Sequence, residues 1–413
     1  MLRRPVWIAG LWLFAGASGA SAQSLELLAE LSIEGFARAE GLAFAGISGL
    51  DYDPQSQRWI AVSNDSGTLG PVRFFGMRIE LGPRGFTLFE LDQAQALNHS
   101  NGEIFESGLH QPGSVRIIPA DPPGDEPYLV WTSEGVLSEG KRAGVFEMCT
   151  GATFMDWFET PGYLAHGHDE GAPIGPRPDR AYESIALMPD HSLIAAFEQP
   201  LAQDGPPSVA GSGTVPVRLV HFDYWSAAPK REYVYELEEP PAGAPAGTER
   251  SLVELIAVDD NTLVSIESIM VPNQGRSPRA KTELYLVELA GATDVHGTES
   301  LRDPDGYTPV IKRRLGDTDS LGLQGARYNA GAFWHELGDG RQALVLVSDN
   351  ANDTYRPTYF AALAVEGLRP LRPYVKTGED GGGRHARTPG PHMYEARPLG
   401  LLPPRPSGSQ FGR

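Results

Sequence analysis

"DHSLIAAFEQP", residues 190–200, is a polar turn followed by an apolar run, Leu193 to Phe197, that stops on the carboxylate of Glu198. Five apolar residues bounded by turn formers read as a buried strand, because a helix would need a longer periodic stretch. The shape returns as "RWIAVSNDSG" (58–67), "EPYLVWTSEG" (126–135), "DNTLVSIES" (260–268) and "RQALVLVSDN" (341–350), ending on Asp65, Glu134, Glu267 and Asp349. Before each copy stands another strand-like run: "GISGLDYD" (46–53), "GSVRIIPA" (113–120), "YESIALMPD" (182–190), "VELIAVDD" (253–260) and "YNAGAFWHE" (328–336). Alternating segments such as "VRFFGMRIE" (72–80), "VRLVHFDYW" (217–225), "REYVYELEE" (231–239) and "TELYLVELA" (282–290) supply further strands between the copies. A multi-strand unit recurring at this scale predicts an all-β chain folded as a β-propeller. Dividing about 390 residues by a unit of roughly 65 predicts six blades, the sixth assembled from the two chain ends to remove free sheet edges.

Arg3 and Arg4, the apolar stretch Val6 to Phe14 and the small residues Ala20-Ser21-Ala22 have the three regions of a secretory signal peptide. Cleavage after Ala22 and a periplasmic or secreted location are expected, by the Sec or the twin-arginine route. Residues 23–402 then read as one propeller domain without linkers, and 403–413 as a disordered tail. No later apolar stretch approaches the ~18 residues of a membrane-spanning helix, so no integral membrane segment is expected after cleavage. The 413 residues carry a net charge of −19, and the leader holds two arginines and no acid, so the mature chain is more negative still. Such a charge argues against nucleic acid as a partner. The lone Cys149 excludes an intrachain disulfide and, beside Val145, Phe146 and Met148, reads as a buried inert thiol.

In a propeller, equivalent residues of successive blades face one another around the axis, so an acid repeated once per blade builds a ring of carboxylates. Converging like charges raise one another's pKa and are relieved by a cation. A hard ion such as Ca²⁺, which takes about six to eight oxygen ligands, suits the set. The metal candidates are Asp65, Glu134, Glu198, Glu267 and Asp349, with Glu183 and Glu254 at the start of their units. The plainer reading is that acids end strands by capping turns. "DNAND" (349–353) lacks the Gly and Glu of an EF-hand loop, and "HGHDEG" (166–171), with His166, His168, Asp169 and Glu170, reads as a solvated loop. "GRHARTPG" (383–390) lacks a phosphate-binding glycine, and no GxSxG, P-loop or HExxH pattern occurs.

The set "GISGLDYD" with "RWIAVSNDSG", "YESIALMPDHSLIAAFEQP" and "ALVLVSDNAND" resembles the phytase-like domain family, "esterase-like activity of phytase", exported bacterial β-propeller proteins. The likeness runs from roughly Gly41 to Asn352. Departures are Gln111 to Ser114 where relatives carry an acidic pair before Gly, His191 in place of Gly, and Asn64 where a second Asp is usual. The resemblance implies a divalent-cation-dependent hydrolase of phosphoric or carboxylic esters acting on a small molecule, with no catalytic residue to carry over. The alternative is a non-catalytic periplasmic propeller that binds a ligand or a protein partner around a structural metal or polar centre. Arg180, Arg250, Lys281 and Arg327 lie near the units, and nothing in the sequence brings them together.

Overall fold

A computed structural model describes residues 23–119, 127–273 and 276–372. The expected leader over residues 1–22, the expected tail over 403–413 and "GRHARTPG" lie outside these residues. The chain folds into five four-stranded antiparallel sheets arranged as a propeller. Blade 1 holds Ile47–Asp53, Arg58–Ser63, Arg73–Gly82 and Gly85–Ala96. Blade 2 holds Pro112–Ile118, Tyr128–Ser133, Gly144–Cys149 and Phe154–Trp157, and blade 3 holds Tyr182–Leu187, Leu193–Phe197, Val215–Asp223 and Ala228–Leu237. Blade 4 is Glu249–Asp259, Thr262–Asn273, Arg276–Glu288 and Ile311–Asp317. Blade 5 takes Arg327–Glu336, Gln342–Asp349 and Thr358–Glu366, and its outer strand is Ser24–Ile33, the first described strand.

The first strand of each blade touches the first strands of both neighbours, which closes the circle. Each sheet is therefore sandwiched on both faces, and inner strands read as near-continuous apolar runs rather than alternating ones. Gln342–Asp349, "QALVLVSD", is buried from its second residue onward. Apolar layers fill the clefts between blades: Trp59, Trp334 and Val345 between blades 5 and 1, and Val62, Val115 and Trp131 between blades 1 and 2. The strand at the chain start is tied by hydrogen bonds to Glu30 from Tyr328 Oη (2.6 Å) and the Gln324 N–H (2.9 Å).

The expected six blades are thus five among the described residues. The five acid-ended units already are the blades. Residues counted toward a sixth are spent on connections, such as 158–181 with its small hairpin Gly167–Asp169 and Ala172–Ile174, and on the closing strand. The first and last described strands do pair, inside the fifth blade, with Ser24 opposite Glu366 and Ile33 opposite Thr358.

Candidate functional site at the propeller axis

Within each blade the inner strand begins, and the second strand ends, at the same face of the ring. Register decides which side chains look at the axis. Ile47 pairs with Ser63, Pro112 with Ser133, Tyr182 with Phe197, Leu252 with Glu267 and Tyr328 with Ser348. The residues that follow on the second strands, Asn64, Glu134, Glu198, Ser268 and Asp349, are therefore equivalent. Just past these pairs every inner strand slips register, placing Ser48, Gly113-Ser114, Glu183, Val253 and Asn329 at irregularities of the same height. A bulge adds a residue and re-aims its side chain: in blade 3 it brings Glu183 among Glu134, Glu198 and Asp349, whereas Val253 of blade 4 packs into the apolar layer against blade 5.

Four carboxylates from three blades share this face: Glu134, Glu183, Glu198 and Asp349, all nearly buried. Glu134 accepts hydrogen bonds from the Ala181 N–H (3.0 Å) and from Gln111 Nε2 (2.9 Å). Glu198 lies between Arg180 Nη1 at 3.5 Å and Arg327 Nη2 at 3.6 Å. Asp349 accepts from the Ala351 N–H (2.7 Å) and faces Arg327 Nη1 and Asn64 Nδ2, each at 3.4 Å. The Glu183 carboxyl makes no hydrogen bond among the described residues; its electrostatic neighbours are Glu134, Glu198, Arg327 and Asp349.

Burial first, and the charge of Glu198 second, push the Glu134 carboxyl up to about 8. Burial, then Glu134 and Glu198, hold Glu183 well above the ordinary carboxylate range. Burial also raises Glu198 and Asp349, against the opposing pull of Arg180 and Arg327 on the first and of Arg327 on the second. The face is thus a mixed set in which two acids favour their protonated form and two sit beside guanidinium groups.

The other three sequence candidates lie against their own basic residues. Asp65 pairs with buried Arg73 at 2.9 Å and accepts from the N–H groups of Thr68 and Leu69, capping a turn. Glu267 meets Arg250 and Lys312, each at 2.5 Å, and the Tyr235 hydroxyl at 2.6 Å. Glu254 sits further along the axis, bonded to Arg116 at 2.8 Å and Ser114 at 2.9 Å, and burial raises it to about 7. Arg116 also donates to the carbonyls of Leu50 (3.0 Å) and Leu255 (2.6 Å), so one guanidinium joins blades 1, 2 and 4 across the channel.

Arg180 and Arg327 join the axial cluster, whereas Arg250 serves Glu267 and Glu283, and Lys281 serves Asp317 at 2.9 Å. Sequence reasoning noted Asn64 and Gln111 only as departures from the family pattern and missed Ser268 and Asn329. The available signal was an Arg just before the inner strand in "RAYES", "RSLVE" and "RYNAG". Among the described residues no three His, Cys, Asp or Glu are grouped to hold a metal ion. His166 Nδ1 donates to the Pro176 carbonyl (2.8 Å), and His168 and Asp169 lie exposed on the small hairpin. Cys149 is half-buried at a strand end, more open than its neighbours in sequence suggested, because the chain turns there between Gly144–Cys149 and Phe154–Trp157.

Comparison with solved structures finds similar chains at low identity. A structure titled Dos1 propeller has 8% identity and a TM-score of 0.32, covering 81% of this chain and 69% of that one. An exo-beta-1,3-galactanase from Phanerochaete chrysosporium, with beta-1,3-galactotriose, has 9% identity and a TM-score of 0.40, covering 80% and 64%. A glucose dehydrogenase has 13% identity and a TM-score of 0.34, covering 83% and 98%. Likeness at this level says nothing of this chain's chemistry. No curated protein matches the sequence. The family model described as "Phytase-like: Esterase-like activity of phytase" matches residues 42–352, which take in the first four blades and the two inner strands of the fifth, up to the axial loop after Asp349. The chain belongs to this phytase-like family of β-propellers.

Proposed function

We propose that the protein is a periplasmic or secreted ester hydrolase whose chemistry takes place at the axial face. The carrying observation is Glu183: a nearly buried carboxyl, aimed at the axis by a bulge, ringed by Glu134, Glu198, Arg327 and Asp349 and hydrogen-bonded to nothing described. Two carboxylates in unlike surroundings divide acid and base roles between them. Glu183, which favours its proton, gives it to the leaving oxygen of the ester. Glu198, flanked by Arg180 and Arg327, takes a proton from the water that adds to the acyl or phosphoryl centre. Ester and water become acid and alcohol, and the two carboxyl groups exchange protonation states before resetting through solvent.

Glu134, Glu183, Glu198 and Asp349 offer the hard oxygens that Ca²⁺ or a similar divalent ion prefers, and the ion would supply positive charge at an ester oxygen. Their present spacing, with no three grouped for an ion, does not suit it. Binding would require the carboxylates to lose protons and Arg180 and Arg327 to yield, so no step above runs through a metal. Export accords with the leader expected over residues 1–22, and among the described residues no helix is long and apolar enough to cross a membrane.

The test is release of product from an artificial phosphate ester and an artificial carboxyl ester, with and without chelator. E183Q is expected to lower kcat by about 10²–10⁴, the usual worth of a general acid, while the protein stays folded. Wild type that binds such esters and never turns them over would overturn the catalytic reading in favour of a ligand-binding propeller.

A further inference from the structure

Among the arginines inside the ring, Arg327 stands apart in having no close carboxylate partner. Arg73 reaches Asp65 at 2.9 Å, Arg116 reaches Glu254 at 2.8 Å, Arg218 reaches Asp204 at 2.7 Å and Arg250 reaches Glu267 at 2.5 Å. Arg180 grips Glu249 through Nε and Nη2 at 2.6 and 2.9 Å. Arg327 finds carboxylate oxygens only at 3.4 and 3.6 Å, and its Nε, like that of Arg250, is buried with no acceptor. A guanidinium presents five donors in a fixed fork, and this one has most of them uncommitted at the centre of the ring.

Two residues further on stands Asn329. It occupies the irregular position of blade 5, the counterpart of Glu183 in blade 3. It is fully buried, and neither Nδ2 nor Oδ1 has a hydrogen-bond partner. Tyr328, between the two, is buried in the layer between blades 4 and 5 and bonds outward to Glu30, while Arg327 reaches toward Glu198 and Asp349 at the axial face. The hydroxyls of Ser184, next to Glu183, and of Ser268, at the ring position of blade 4, are also buried without partners. An orphaned buried polar group costs about 1–3 kcal/mol, so several at this end of three successive blades mark a place built for an absent hydrogen-bonding group.

These orphans are rich in donors: guanidinium N–H, amide N–H₂ and two hydroxyls. A group that answers them is a compact oxyanion. We propose that Arg327 and Asn329 form the seat for an oxyanion of the substrate, so that the ester taken at this face carries a phosphate or a carboxylate. An arriving oxyanion makes the short bonds to Arg327 that Glu198 and Asp349 do not. The seat deepens the hydrolase reading, and what it says about the ester being cleaved rests on that reading; the binding of the anion does not.

The experiment uses the mature chain and follows thermal unfolding in inorganic phosphate and in acetate, against chloride at matched ionic strength. A ligand of the folded state raises the midpoint in a saturable way. Wild type is expected to respond to phosphate or acetate, and the responding anion identifies the source of the charge. N329A is expected to keep its midpoint in chloride, since the amide has no bond to lose, yet to bind the anion at least about tenfold more weakly, the worth of a hydrogen bond to a charged group. R327K, which keeps the charge and loses the fork, is expected to fall between wild type and N329A. A wild type indifferent to both anions, or an N329A response equal to wild type, overturns the seat. Anion stabilisation without turnover of any ester would leave the seat standing and remove the hydrolase reading. Turnover of charged and neutral esters with kcat/KM unchanged in N329A would do the reverse.

Discussion

Replacing Glu134 by Gln removes one titrating group from the axial cluster and leaves its shape nearly unchanged. The amide oxygen still accepts the Ala181 N–H, which lies at 3.0 Å from Glu134 Oε1. In the unfolded chain Glu134 titrates near its ordinary value of 4.5, whereas in the folded protein burial and the charge of Glu198 hold it at about 8. Between those limits the folded state keeps a proton that the unfolded state has released. Stability owed to that proton is complete below pH 4.5 and is lost as pH rises through about 8. The slope is about 1.4 kcal/mol per pH unit for one proton, and the interval sets a ceiling on the order of 5 kcal/mol. Rearrangement of Gln111 and of the other acids lowers the expected gap to about 2 kcal/mol. Urea unfolding followed by tryptophan fluorescence measures it. Wild type and E134Q should unfold together at pH 4.5 and diverge steadily as pH rises, with E134Q the more stable. A gap that does not change with pH, or one that grows in favour of wild type, would show that Glu134 ionises freely and that the cluster imposes no charge penalty.

R218M tests the fully buried network in which Arg218 holds Asp204 at 2.7 Å and Glu232 at 2.9 Å. Two buried carboxylates left without their guanidinium should cost about 3–5 kcal/mol in the same urea assay, whereas loss of the exposed Arg78–Glu90 pair should cost under about 1. In G113A the new Cβ would lie 2.4 Å from the Glu183 carbonyl oxygen, wedging the inner strands of blades 2 and 3 apart. Destabilisation of about 1–3 kcal/mol is expected, together with a fall in ester turnover of the folded fraction beyond that loss. If Ca²⁺ binds at the axial acids, its addition should raise the melting midpoint more at about pH 8.5 than at about pH 6, because protons compete for the same oxygens. An equal rise at both would place the ion elsewhere.

The blades were legible because burial on both faces writes itself as uninterrupted apolar residues, and because turn chemistry punctuates the runs. Their number was not, since chain length does not distinguish a blade from a connection such as 158–181. The axial site was half legible for a more specific reason. Acids recur at the strand ends, but recurrence in sequence is not equivalence in register. Ser63 pairs with Ile47, which makes Asn64 the ring position and turns Asp65 the other way. Glu267 itself pairs with Leu252, so the ring position of blade 4 falls to Ser268. Successive side chains on a strand point to opposite faces, and an offset of one residue moves a carboxylate from the axis into the blade. A similar slip separates Glu183 from Glu254, because the irregular position of blade 4 is Val253. Packing between blades fixes these slips: a Cβ on Gly49 would meet the Ser114 backbone at 2.7 Å, so the inner strands of blades 1 and 2 hold one another in place. No local propensity encodes such a contact. The arginines nevertheless record the outcome. Off-register Asp65 and Glu267 are met by basic groups at 2.5–2.9 Å, while Glu198 and Asp349 stand 3.4–3.6 Å from theirs. Acids clamped that closely are committed to the fold, and acids held at the longer distance retain lone pairs for a substrate, a water or an ion.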